Sequence, residues 1–314
     1  MSVRYAPCNN VTATPLLIAG HSLGTPDISV AHALELFARI GCDGAELIWQ
    51  DAYPSGIPER ASHADLRDTR ARAADLDLEI AGLTPYMTGL NSLDDAERSR
   101  DIERFVACIA AARALDCARI RVYAGAYLPT DIPRHDEMWQ RLIESLQVLG
   151  EQAAQAGAIL CVENHFNTMT PSAAQTAQLV RAVDSPNVGV LYDQANLTFT
   201  HHEAPEEAIV LQAPLIRHVH VKDLVFIDPS AAFNASAVAT VGESERNVRS
   251  RVVGDGVIDW RGIITRLVEH GYDGYLSLEY EYRWHPQDLP EPEEGMGRSV
   301  TMLRRYVSEI GSAA

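Results

Sequence analysis

The feature that most constrains how this chain can fold is a rhythm: short apolar runs alternate with longer amphipathic ones, eight times over. The short runs fall at 16–21, 44–49, 78–83, 119–124, 159–163, 188–193, 216–221 and 275–279. They are rich in Val, Ile, Leu and Tyr and bounded by turn residues, as buried strands are. The longer runs, at 28–40, 64–76, 95–115, 136–156, 173–183, 206–212 and 260–270, carry helical spacing, and 296–310 closes the chain. Gly41, Gly157 and Gly271 stand just past three of them, where a left-handed cap favours glycine. Asp27 and Ser62 are the expected N-caps. Strand–helix units in unbroken succession build a parallel sheet, and eight of them close it into a barrel. The expectation is an α/β chain folded as one (β/α)8 barrel, the TIM barrel, over residues 1–314. A doubly wound open sheet would carry a glycine-rich fingerprint after its first strand, which Ala19-Gly20-His21-Ser22-Leu23-Gly24 does not supply. One stretch breaks the rhythm. Residues 224–258 are too long for an ordinary connection and leave the seventh strand on the catalytic face, so a lid is expected there.

Composition narrows the function classes. With 46% hydrophobic residues the chain can bury a large core, and a net charge of −17 counts against a nucleic-acid partner, since no basic cluster offsets it. No apolar run is long enough to span a bilayer and no leader is evident, so a soluble, cytoplasmic protein without a membrane partner is expected. The five cysteines (Cys8, Cys42, Cys108, Cys117, Cys161) form no CxxC pair and read as reduced, buried small residues. Self-association into a homo-oligomer is left open.

Barrel chemistry sits at the carboxyl ends of the strands. Here four consecutive strands finish on acids or histidines: Glu163-Asn164-His165, Asp193-Gln194-Ala195-Asn196, His218-Val219-His220-Val221-Lys222-Asp223, and Glu279-Tyr280-Glu281. Residues two apart on a strand share a face, so Glu163 and His165 are expected side by side, as are His218, His220 and Lys222. Each has an ordinary reading alone, as a helix cap, an ion-pair partner or a satisfied polar neighbour. Together, three carboxylates buried at one end of the barrel need a cation. A set of three carboxylates and an imidazole suits one hard or borderline divalent ion, with Mn²⁺ first, Mg²⁺ or Co²⁺ next to it, and Zn²⁺ a second choice.

The same residues resemble the xylose isomerase-like TIM barrel superfamily of sugar isomerases and epimerases, which also holds endonuclease IV (the AP endonuclease family 2 fold). The resemblance covers nearly the whole chain and rests on Val162-Glu163-Asn164-His165, Tyr192-Asp193-Gln194-Ala195-Asn196, 218–223, 253–260 and 271–279. It implies metal ligation by Glu163, Asp193, His220 and Glu279. Two positions depart from the ketose 3-epimerases: Asn196 stands where many carry His, and Phe226 where many carry Arg. The Glu163-Asn164-His165 and Asp193-x-x-Asn196 variants look like a branch of lyases on oxidised sugars and cyclitols that includes inosose dehydratase, dehydroshikimate dehydratase and C-glycoside-cleaving enzymes. The nuclease relatives need three zinc ions, with histidines at the second and third strand ends, where this chain has Trp49-Gln50 and Pro85-Tyr86.

The function implied is a metal-dependent sugar isomerase or epimerase that abstracts a proton α to a carbonyl, with a lyase on a keto-sugar, keto-cyclitol or 3-oxo-glycoside as the alternative. The partner is then a small sugar or keto-sugar. The ion would stabilise charge on the carbonyl oxygen, while a base removes the proton and an acid returns one. Glu163 and Glu279 would share that work in the epimerase pattern. His165, which can titrate near neutrality, is a further candidate base, and Lys222 a candidate electrophile or leaving-group acid. Glu46 and Arg283 could bind hydroxyl groups, and Trp49, Tyr86, Tyr123, Phe199 and Trp284 could floor the sugar pocket. A non-catalytic sugar-binding protein would not need the carboxylate set.

Overall fold

In the computed structural model, residues 16–231 and 246–311 are described. Each apolar run becomes a strand: β1 (Leu17–His21), β2 (Gly44–Trp49), β3 (Glu79–Pro85), β4 (Arg119–Val122), β5 (Ile159–Glu163), β6 (Val188–Asp193), β7 (Ile216–Val221) and, last in the chain, β10 (Tyr275–Leu278). All eight pair in parallel, and β10 closes the ring between β7 and β1, with Leu17 opposite Tyr275 and Ser277 opposite His220. The expected (β/α)8 barrel is therefore the observed fold.

The outer layer follows the amphipathic runs: α1 (Val30–Arg39), α2 (His63–Asp75), α3 (Asp95–Leu115), α4 (His135–Ala156), α5 (Ala173–Val183), α7 (Pro205–Gln212), α8 (Trp260–Glu269) and α9 (Pro292–Gly311). Their apolar faces bury against the strands, with Phe37, Phe105, Leu146, Leu179 and Ile264 among the buried contacts. Gly20 lets α1 approach β1 closely, since a Cβ there would stand 2.5 Å from the Phe37 ring. The helix ends match the sequence signals in part. Gly41, Gly157 and Gly271 adopt φ of 87°, 72° and 82°, and Ser62 caps α2 in a reciprocal capping box with Asp65. Asp27 does not cap α1. Ser29 does, two residues later, accepting from the His32 amide.

Three elements lie outside the expected rhythm. Helix α6 (Gln194–His201) starts directly at the end of β6 because the Asp193 carboxylate accepts the Asn196 amide at 2.9 Å. Within 224–258, β8 (Asp223–Phe226) pairs antiparallel with β9 (Val248–Arg251), and the centre of the expected lid, 232–245, lies outside the described residues, as does Cys8. The return from this excursion is fastened to the end of β7. Both oxygens of Asp223 accept backbone amides: those of Leu224 and Ile258 on one, those of Gly254 and Gly256 on the other, at 2.9–3.2 Å. Glycine is required twice here, since Gly254 has φ +93° and a Cβ on Gly256 would lie 2.0 Å from the Asp223 carboxylate. The neighbouring Lys222 carbonyl accepts the Trp260 indole N–H at 3.0 Å, which joins β7 to α8. Among the described residues no helix is long and apolar enough to cross a membrane.

Candidate active site

The strand ends expected to converge do so. One donor atom from each of Glu163, Asp193, His220 and Glu279 falls within 4.8 Å of the others, and all four residues are buried. Glu163 and Asp193 terminate β5 and β6, His220 is the fifth residue of β7, and Glu279 follows β10, its amide held by the Val221 carbonyl at 2.9 Å. Asn164 fixes the spacing between the first two: its side chain donates to the Asp193 carbonyl at 2.7 Å and accepts the Asp193 amide at 3.3 Å. Asn196, on the first turn of α6, donates to Glu163 at 3.3 Å and to Asp193 at 3.1 Å.

Positive charge reaches this cluster from two sides. The Lys222 ammonium lies 2.9 Å from Asp193, 2.7 Å from Glu279 and 3.6 Å from Glu281. Arg121, at 4% exposure, donates Nε to one oxygen of Glu163 at 2.7 Å, with Nη2 in ion-pair contact with the same oxygen at 2.5 Å. Its guanidinium also lies 5.1 Å from the centre of the Tyr86 ring and 5.3 Å from that of Tyr123. These contacts set the acidities. Burial disfavours ionised Glu163 and Glu279, but Arg121 for the first and Lys222 for the second outweigh it and hold both below the usual carboxylate range. For Asp193 burial wins, pushing the carboxyl up to about 7 against the pull of Lys222.

The donor set fits a divalent cation. His220 Nδ1 faces Glu163 and Glu279 oxygens at 3.4 and 3.3 Å yet makes no hydrogen bond, an orphaned buried acceptor or donor aimed into the carboxylates. Three carboxylate oxygens and one imidazole nitrogen are ligands that Mn²⁺, Co²⁺ or Zn²⁺ accepts.

His165 is adjacent but not on the strand. Because β5 stops at Glu163, His165 stands in the following loop, half-buried, its ring stacked on Phe166 at 4.2 Å and inclined to Tyr123 at 5.1 Å. Its Nδ1 is 2.6 Å from the Phe166 carbonyl, which can only accept, so Nδ1 carries the proton and Nε2 keeps its lone pair. Burial draws its basicity down, against the charge of Glu163, and favours the neutral ring.

Other candidates are placed differently. Glu46 cannot bind a substrate hydroxyl, being fully buried beneath the cluster and engaged by Thr84, His218 and His220. Arg283 packs over Tyr53 and over Trp284, which is 54% exposed. Trp49 belongs to the core, Phe199 meets Phe166 edge-on, and Tyr86 and Tyr123 flank Arg121. Arg121 itself is the residue the sequence reading missed. Its signal was the alternation Arg119-Ile120-Arg121-Val122, which turns two arginines to one face of a barrel strand and demands buried acceptors there. Four of the cysteines, Cys42, Cys108, Cys117 and Cys161, are buried free thiols, as expected.

Known proteins share this architecture. The inosose dehydratase of Klebsiella pneumoniae is 33% identical over 150 residues, 46% of this chain and 48% of that one. The match thus spans about half the length of these curated relatives. A D-tagatose 3-epimerase-like protein superposes with a TM-score of 0.74 at 18% identity, over 95% of this chain and 99% of its own. The probable 3-DHS dehydratase of petrobactin synthesis from Bacillus anthracis does so with a TM-score of 0.72 at 19% identity, over 92% and 99%. At such identities the structures establish the fold alone. The family assignment comes from the match over residues 34–306: the chain belongs to the xylose isomerase-like TIM barrel family.

Proposed function

We propose that this chain is a divalent-metal-dependent enzyme that removes a proton from the carbon beside the carbonyl of a sugar, oxidised sugar or keto-cyclitol. The observation that carries the proposal is the buried convergence of Glu163, Asp193, His220 and Glu279 around an orphaned imidazole nitrogen. These four would hold the ion. When bound, it supplies positive charge beside the substrate's carbonyl oxygen, where negative charge builds as the proton leaves. His165 takes the proton: its free Nε2 and its neutral ring suit a base at neutral pH. Glu163 is the poorer acceptor, since Arg121 hydrogen-bonds and ion-pairs one of its oxygens. Glu279 orients Lys222, whose ammonium protonates the departing or re-formed oxygen. This chemistry serves isomerisation, epimerisation and elimination of water alike. Similarity to inosose dehydratase favours elimination over epimerisation as the outcome.

Incubation in deuterated water with a panel of ketoses and keto-cyclitols, followed by NMR, tests both levels. A product lacking one water identifies elimination, and an isomer carrying solvent deuterium identifies epimerisation. His165→Asn should keep its metal while losing a factor on the order of 10² to 10⁴ in turnover. Glu163→Gln should lose metal and activity together. Turnover without an α-deuterium isotope effect in single-turnover measurements removes the proton-abstraction step, and a fully active His165→Asn removes the role of His165.

A further inference from the structure

Below the carboxylate cluster lies a second set of titratable groups that the proposed chemistry leaves unused: His21, Glu46, Thr84 and His218, all fully or almost fully buried. Glu46 is their hub. The β2–β3 register slips between Ala45 and Glu46 and brings Gly82 opposite Glu46, where a Cβ would stand 3.2 Å from the carboxyl carbon. A side chain longer than hydrogen at position 82 would crowd this carboxylate.

The direction of every proton in the chain follows from its fixed ends. The Leu23 amide donates to His21 Nδ1 at 3.0 Å, so that nitrogen bears no hydrogen and the ring proton is on Nε2. His21 Nε2 therefore donates to Thr84 Oγ1 at 3.0 Å, and the Thr84 hydroxyl, with one hydrogen to give, donates to Glu46 Oε1 at 2.6 Å. A carboxylate held this way only accepts. The remaining neighbours of Glu46, His218 Nε2 at 2.7 Å and His220 Nε2 at 3.1 Å, must then be donors. For His220 that leaves Nδ1 as the nitrogen that faces the carboxylate cluster without a hydrogen bond, the atom whose lone pair a cation displacing any proton there would take.

We propose that Glu46 is a positioning residue which, fed by the His21–Thr84 relay, locks His220 as the Nε2–H tautomer and so presents Nδ1 as a ligand to the cation. The idea rests on the metal reading above for its consequence, but not for its geometry. A carboxylate behind a ligating imidazole fixes ring orientation and raises its basicity, and losing such a partner weakens metal binding about 10- to 100-fold. Glu46→Gln is the direct probe, because an amide accepts on one side and donates on the other. It can no longer serve His218 and His220 as acceptor to both.

The test uses the whole chain, stripped of metal by chelation and titrated with Mn²⁺ alone, with free Mn²⁺ read by electron paramagnetic resonance. Glu46→Gln should bind Mn²⁺ about 10- to 100-fold more weakly than wild type while keeping its circular dichroism. Unchanged affinity in a folded Glu46→Gln overturns the proposal. Thr84→Val, which removes only the donor to one oxygen, should weaken binding by less, and it decides the case if Glu46→Gln does not fold: affinity equal to wild type overturns the relay. NMR of ¹⁵N-histidine-labelled metal-free protein reads the tautomer itself. His220 carrying a proton on Nε2, with Nδ1 bare or also protonated, upholds the lock, and His220 protonated on Nδ1 alone overturns it. If wild type takes up no Mn²⁺, the proposed function falls, and this spectrum alone still decides the role of Glu46.

Discussion

Replacing Arg121 by Met tests how the buried charge is balanced. The guanidinium is 4% exposed and meets one oxygen of the fully buried Glu163 through a 2.7 Å hydrogen bond from Nε and a 2.5 Å ion-pair contact from Nη2. Deleting one member of a buried ion pair strands the other, at about 3–5 kcal/mol. Loss of the two ring contacts, at 5.1 and 5.3 Å, adds little, because the Met thioether keeps part of that packing. Unfolding entropy near 2.1 cal/mol/K per residue over 314 residues gives about 0.7 kcal/mol/K, so the variant should melt roughly 5–8 °C lower. That holds for protein in EDTA. With saturating Mn²⁺ a second cation compensates Glu163, and the loss should shrink. By linkage the variant must then bind Mn²⁺ more tightly, about tenfold for each 1.4 kcal/mol recovered. Differential scanning calorimetry of both proteins in both conditions reads this directly. A drop below about 1 °C in EDTA would refute the stranded-charge argument, and equal drops with and without Mn²⁺ would refute the sharing of Glu163 between Arg121 and the ion.

Three further outcomes are expected. Gly256→Ala drives a methyl to 2.0 Å from the Asp223 carboxylate and should lower stability by about 1–3 kcal/mol, measured as a shift in the urea midpoint; an unchanged midpoint means the turn is not held by Asp223. Burial pushes the thiols of Cys42, Cys117 and Cys161 up to about 12 and raises that of Cys108 as well, so these four should stay unmodified by a disulfide reagent at pH 8 until the chain unfolds, as mass spectrometry of the labelled peptides will show. Lys222→Met removes the ammonium spanning Asp193 and Glu279 and should lower turnover by a factor on the order of 10² to 10⁴ with metal content retained; unaltered turnover removes the acid role.

What the sequence made legible, and what it hid, divides along one physical line. Strands β1 to β7 and β10 were readable because a buried parallel strand writes its burial into consecutive residues, and Glu163, Asp193, His220 and Glu279 were readable because each interrupts or ends such a run. Helix α6 was not, since Gln194-Ala195-Asn196 follows the strand at once with no turn residues between, and the Asp193 side chain caps a helix there. The pairing of Glu163 with His165 by strand alternation ends with the strand itself: β5 stops at Glu163, and His165 owes its place to Phe166 and to its own amide, which the Thr170 carbonyl accepts. The partners of Arg121 and Thr84 were hidden for another reason. Both act across strands, on Glu163 and Glu46, and which residue meets which is fixed by register and by the slip at Ala45/Glu46, neither of which leaves a local trace. The candidate ligands of such a barrel are thus a property of its strands, readable one at a time, whereas the groups that face them from behind are a property of the closed ring. A lone Glu46 reads as an ordinary acid; three imidazoles and a hydroxyl around it appear only once β1, β3 and β7 stand against β2.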